Sequence, residues 1–376
     1  MTIDIQLAHE RLRFFAESTT SRAPLYSLLS AFAADDPMML GIVAAGDGRD
    51  ADAPLLFAAV QHQLRRERGH HLASYYRTLG GFREPDKGAW HAFRDFVSER
   101  IEPTRRLLAD RYVQANEVQR MGAIYPVLAA VCRSVSEPIA LVELGCSAGL
   151  LLSPDRYRIR YRFSDGRAEV VQPSAPIGID CVVDGNGFDV PRTRVDLAER
   201  IGLDRRPAGS LPEDLEWLES CIWSDHPDRL TLLRSALKSR VPEVEFVTGD
   251  VVADLHRVMQ RVPNGRPIVV MTSWLLLYLS ECARRSLCVQ LTEIAAKRRL
   301  WWIDTGPYEE LLPMLGAIEG QTSQADLTYR ATGYGVVTAI EWEAGEPSPT
   351  PIAVTEPHGG SMRWLYETPM FTFRER

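Results

Sequence analysis

The chain holds 376 residues, 45% of them apolar, with a formal net charge of −7. That length supports a large core and favours two packed units over one, and the composition excludes a disordered or low-complexity chain. Charges of both signs are scattered, so there is no basic footprint for nucleic acid.

The first residues lack the charged and apolar regions of a signal peptide. The longest apolar run, Ile268–Leu279, is too short to cross a bilayer and carries Thr272 and Ser273. No membrane partner is expected. The six cysteines form no C-x-x-C pair and have no histidine at zinc spacing. They predict free thiols, no metal site and a cytoplasmic location.

Residues 1–135 read as helical. Leu7, Leu12, Phe14 and Phe15 open an apolar stripe, Pro24 restarts one, Pro54 opens a third, and Trp90, Phe93, Phe96 and Val97 form a fourth. Leu107–Tyr112 and Val118–Val135 complete the region, with Gly122 and Pro126 as candidate breaks in the last helix. Gln114-Ala-Asn-Glu-Val-Gln-Arg120 is a polar segment within it, and helical spacing puts Asn116 and Arg120 on one face. It reads either as a solvated helix or as a lid lining a pocket, with Gln114, Asn116 and Arg120 as substrate-binding candidates.

Residues 139–152, Ile-Ala-Leu-Val-Glu-Leu-Gly-Cys-Ser-Ala-Gly-Leu-Leu-Leu, read as a buried strand, a tight turn and the opening of a helix. Gly145 and Gly149 give conformational freedom and close approach, so a side chain at 149 is expected to fill the loop's concavity. Glu143 at the strand end repels a phosphate but accepts from an ammonium or hydroxyl. Ser147 stands where the dinucleotide fingerprint G-x-G-x-x-G needs its second glycine. The loop is then either a cofactor loop or a plain strand-to-helix turn.

Asp155–Phe163 alternates polar and apolar residues, and Ser164-Asp-Gly-Arg167 is a hairpin turn with a returning strand through Gln172. Residues 155–195 are taken as an insertion over the carboxyl edge of the sheet. Arg156 and Tyr157 are candidates for binding a substrate carboxylate, although an arginine-rich alternation also suits the wet face of a hairpin. Strands then follow at Arg200–Asp204, Val244–Asp250, Pro267–Trp274 and Arg299–Gly306, with helical stretches at Trp217–Trp223 and Arg229–Leu237. Val336–Trp342 and Pro351–Thr355 predict an antiparallel pair. Three successive strands end in an acid: Glu143, Asp204 and Asp250.

These residues resemble the first motif and strand-end acids of the class I, Rossmann-like S-adenosylmethionine-dependent methyltransferases. As a whole the chain is similar to a bacterial family known only as a domain of unknown function, in which a helical N-terminal region precedes such a domain. Gln114–Arg120, Glu143–Leu152 with Asp155-Arg-Tyr157, Cys221-Ile-Trp223, Gly249-Asp250, Ser273-Trp274 with Tyr278-Leu279, and Pro357-His-Gly359 carry that likeness. It departs where Leu151 stands in place of an expected Asn and Thr272 in place of an expected His.

The resemblance implies an α/β fold: a Rossmann-like doubly wound sheet over 136–376, with a β-hairpin insertion at about 155–195 and a helical cap over 1–135. It implies S-adenosylmethionine as cofactor, held by Glu143, Gly145, Ser147, Gly149, Asp204, Asp250, Ser273 and Trp274, although Trp274 equally suits the core. His358, in Glu-Pro-His-Gly-Gly, is a candidate base or a surface histidine in a turn, and Asp304 is a second candidate. Thr272-Ser-Trp-Leu lacks the Asn/Asp-Pro-Pro-aromatic signature of amino-methylating enzymes. The leading expectation is methyl transfer to a small-molecule substrate. The alternatives are an enzyme that uses the cofactor itself as substrate, releasing methylthioadenosine, a nicotinamide-dependent oxidoreductase, and a non-catalytic binding protein. Oligomeric state is left open.

Overall fold

The computed structural model describes residues 5–45, 52–114, 116–185, 187–208, 212–315 and 333–366. The chain divides into two compact units, Met1–Ala115 with Ala208–Arg234, and Asn116–Pro207 with Ser235–Arg376. The division differs from the expected boundary at 135, for reasons of packing. Helix Met121–Ser134 is apolar all round and buried along most of its length, so it packs on strands instead of helices. It runs through Gly122 and Pro126 without a break. Residues 208–234, expected beside the sheet, instead give Trp217 and Cys221 to the helical core.

The helical unit is built from Ile5–Thr19, Pro24–Ala33, Pro37–Val43, Asp52–Leu64, Lys87–Ser98, Ile101–Asp110 and Pro212–Ser220, together with the start of Pro227–Lys238. Asp36 and Asp86 cap two of these helices through the backbone N–H groups of Met38, Met39 and Ala89. The first stripe is Ala8, Leu12 and Ala16, while Phe14 and Leu7 are exposed. Gln61 Nε2 donates to the carbonyls of Ser220 and Ile222, and Trp217 Nε1 to that of Tyr112, which bind 208–234 into this core.

The sheet unit contains β1 Ile139–Leu144, β2 Tyr157–Phe163, β3 Ala168–Val171, β4 Ile177–Asp184, β5 Leu197–Asp204, β6 Glu245–Thr248, β7 Ile268–Ser273, β8 Leu300–Gly306, β9 Gly335–Glu343, β10 Glu346–Thr355 and β11 Ser361–Trp364. They form one sheet in the order β3-β2-β4-β11-β10-β9-β8-β7-β1-β5-β6. The run β6-β5-β1-β7-β8 is parallel throughout, and its three central strands β1, β7 and β8 are almost wholly buried, as sheets covered by helices require. Helices Leu255–Met259 and Glu281–Ala295 bury Leu255, Val258, Leu287 and Leu291 with Val142, Val270 and Trp302. The expected antiparallel pair is β9 and β10, turned at Ala344-Gly345.

Two expectations change here. The 155–195 segment does not lie over the sheet edge. β2, β3 and β4 extend the sheet itself, because β4 pairs in parallel with the late strand β11. Nor does an α-helix open after the glycine loop. Leu150–Leu152 is a single 3-10 turn, followed by Pro154–Arg156 and then β2. Pro154 disfavours helical backbone at Ser153, whose ψ is 53°, and so stops the turn.

Candidate functional site

The chain lays down β1, then β5 and β6 on one side, and returns to place β7 and β8 on the other. The strand order therefore reverses between β1 and β7. In open α/β sheets the crevice beyond the carboxyl ends at such a point is where ligands bind. Leu144 pairs with Thr272 at this place, so Gly145–Gly149 and Ser273-Trp274 leave the sheet side by side.

The loop's shape follows from three left-handed residues, Gly145 (φ 73°), Ser147 (φ 49°) and Gly149 (φ 64°). A Cβ on Gly145 would stand 2.9 Å from Leu275 Cδ1, and one on Gly149 2.8 Å from the Phe246 ring. Both glycines thus admit protein side chains, so position 149 faces Phe246 instead of an open concavity. Ser147 has no such freedom, and its conformation is held by Asp204, whose Oδ2 accepts from Ser147 N at 2.8 Å. Asp204 Oδ1 accepts from Arg206 N at 2.9 Å. The Asp204 carboxylate, a cofactor-binding candidate, is thereby the clasp of the loop.

Asn116 closes the loop from the other side. Its Nδ2 donates to Cys146 O and its Oδ1 accepts from Leu150 N, both at 3.2 Å. Tyr157 Oη donates to Leu150 O at 2.6 Å, so this buried tyrosine supports the turn. Arg240 lies 5.1 Å over the Phe246 ring behind Gly149. Neither Phe246 nor Arg240 was expected. Nothing in the local pattern of β6 distinguishes a side chain that backs a loop from one that fills the core.

Arg120, buried ahead of the 121–134 helix, donates through Nε to Pro357 O at 2.7 Å and through Nη1 to Ser273 Oγ at 3.1 Å. Its guanidinium stands 5.6 Å from the Trp274 ring. Trp274 is buried in left-handed backbone (φ 62°) with its N–H donating to Thr305 O. A bulky residue there costs of order 1–3 kcal/mol, which the surrounding contacts must offset. Arg120 therefore ties the end of β7 to the loop that carries the half-buried His358.

Glu143 sits at the centre of this arrangement, 1% exposed, with no hydrogen-bond partner for Oε2. Burial first, and then the neighbouring Asp204, push its carboxyl well above the usual range, while Arg120 pulls it back. The buried Ser147 Oγ also lacks a partner. Burial, with Glu143 next in importance, likewise raises Cys146 and Tyr157.

The remaining candidates lie elsewhere. Asp250 is exposed beyond β6 and accepts from the N–H groups of Val252 and Ala253, shaping its own turn. Asp304 shares a cross-strand row with Leu144, Thr272 and Thr338, so alternation directs it to the sheet face opposite Glu143. There Trp302 Nε1 donates to Thr272 Oγ1 at 2.8 Å, and Thr272 donates to Asp304 Oδ1 at 2.6 Å. Burial raises Asp304 to about 7. Arg156 is half-buried at the end of the second 3-10 turn, with no partner for Nε. Gln114 is buried in the helical unit. Among the described residues no group of three or more His, Cys, Asp or Glu is placed to hold a metal, and no helix is long and apolar enough to cross a membrane.

The fold and this geometry define an α/β protein with a large, mostly parallel central sheet and a polar cluster where its strand order reverses. Over residues 9–364 the chain matches the family described as an uncharacterized protein conserved in bacteria (DUF2332), and it belongs to that family. Comparison with curated proteins gives no match.

Proposed function

We propose that this chain is an S-adenosylmethionine-dependent transferase that moves a methyl group to a small-molecule acceptor, with its site at the β1–β7 reversal. The observation that carries the reading is the orphaned, buried carboxylate oxygen of Glu143 beside a loop held in shape by Asp204 and Asn116. A buried acceptor without a donor costs about 1–3 kcal/mol, a cost that a ligand N–H or O–H removes. The residues therefore fit the cofactor: Glu143 would accept from its polar groups, Ser147 Oγ would add a second contact, and Asp204 would keep the loop in shape. When bound, S-adenosylmethionine supplies a methyl group on a cationic sulfur. The protein's part is orientation, since holding reactants in line is worth effective molarities of about 10⁵ M or more. Arg120 fixes the Pro357 loop, and His358 on it takes the acceptor's proton where one must leave, a contribution of about 10²–10⁴-fold.

The test is calorimetric titration with S-adenosylmethionine and S-adenosylhomocysteine, followed by mass spectrometry of the incubated ligand. Binding with the ligand intact supports a transferase awaiting its acceptor. Conversion to methylthioadenosine makes the cofactor the substrate. Binding of neither refutes the proposal.

A further inference from the structure

We infer that Glu143 selects a ligand bearing a positive charge, and that it does so by giving up a proton as the ligand's cation takes its place. The inference rests on the site reading above and goes beyond it, because it specifies the charge of the group that meets the sheet.

Four titratable or charged groups face Glu143: Asp204 from β5, Arg120 ahead of the 121–134 helix, Cys146 in the loop and Tyr157 from β2. One is a carboxyl and, among the described residues, one is a cation. Arg120 directs Nε and Nη1 to Pro357 O and Ser273 Oγ. Asp204 is the carboxyl served by backbone donors, from Ser147 and Arg206. Glu143 is the carboxyl whose Oε2 has none, at 1% exposure. An anion buried there, with no donor to Oε2, is costly, so the proton stays on Glu143. The raised affinity of this carboxyl for its proton has the same physical cause.

A ligand ammonium or sulfonium changes the balance. The neutral acid and the cation become a carboxylate–cation pair, and one proton passes to solvent. A ligand that offered only a hydroxyl would leave the proton in place. Release of one proton per ligand makes affinity rise about tenfold for each pH unit until Glu143 ionises unaided.

Titration of the full chain with S-adenosylmethionine in phosphate, HEPES and Tris at one pH measures this directly, because the apparent enthalpy follows buffer ionisation in proportion to protons released. Close to one proton is expected. S-Adenosylhomocysteine, which keeps the ammonium but not the sulfonium, separates the two cations: release with both points to the ammonium, release with S-adenosylmethionine alone to the sulfonium. Glu143→Gln should abolish the release and weaken binding at least about tenfold. An infrared difference spectrum between the unliganded chain and E143Q at pH 8 needs no ligand, and should contain one protonated-carboxyl band. Absence of that band overturns the proposal whatever binds. The band with binding but no proton release also overturns it, and leaves the cofactor reading standing. The band with neither ligand bound overturns the cofactor reading, and the exchange with it.

Discussion

Replacing Asp304 with Asn should change how stability depends on pH more than it changes stability itself. Asp304 is fully enclosed, accepts from Thr272 and has its carboxyl raised from 3.8 to about 7. A carboxyl raised on folding keeps its proton in the folded chain while the unfolded chain loses its own. Stability therefore falls as pH climbs from about 4 and levels off above about 7. At about 1.4 kcal/mol for each tenfold in proton affinity, the full cost is at most about 4 kcal/mol, of which about 3 kcal/mol accrues between pH 5 and 8. Asparagine does not titrate, so D304N removes that slope. Its amide also meets the N–H of Thr305, a pH-independent penalty of about 1–3 kcal/mol. The observable is thus the wild-type-minus-variant difference from denaturant unfolding at pH 5, 6, 7 and 8. It should move by about 3 kcal/mol in the variant's favour over that span. A difference constant with pH would refute the reasoning.

Asn116→Ala removes both bonds that close the glycine loop, and should cost about 1–3 kcal/mol and weaken S-adenosylmethionine binding at least about tenfold. Unchanged melting and unchanged affinity would remove Asn116 from the site. Gly359→Ala puts a Cβ 2.4 Å from Gln119 C and 2.5 Å from Arg120 N, at φ 77°, where neither backbone has room to yield. A loss of more than about 2 kcal/mol is expected, and a melting temperature equal to wild type would show that the loop is free to move away.

The parallel half of the sheet was legible because its strands carry local signals, apolar runs in β1, β7 and β8 and an acid near the end of β1, β5 and β6: all five lie within or beside the expected segments. The helical segments were legible for the same reason, in Leu12, Phe93 and Phe96. Pairing between distant segments was not. β2–β4 has the alternation of a hairpin, and only β11 decides whether it covers a sheet or prolongs one. The site divides in the same way. Glu143, Gly145, Ser147, Gly149, Asp204, Asn116, Arg120, Ser273, Trp274 and Tyr157 gather around one loop. Sequence, however, conveys that Asp204 is an acid after a strand, not that its oxygens are taken by Ser147 and Arg206 N–H groups. Asp250 and Asp304 are both acids near the end of a strand but differ in surroundings, one lying beyond β6 and spent on its own turn, the other inside β8 and spent on Thr272.

The placement of β11 between β4 and β10 bears on how the chain matures as it leaves the ribosome. Until Ser361–Trp364 is made, β4 and β10 each present a bare strand edge, and unpaired edges invite association with other chains. Roughly 180 residues separate Asp184 from Trp364, so at about 5–20 residues per second β4 waits roughly ten to forty seconds for its neighbour. A chain cut short before Ser361 would keep both edges open for good. Four late residues thus decide whether the two halves of the sheet become one body or two adhesive ones.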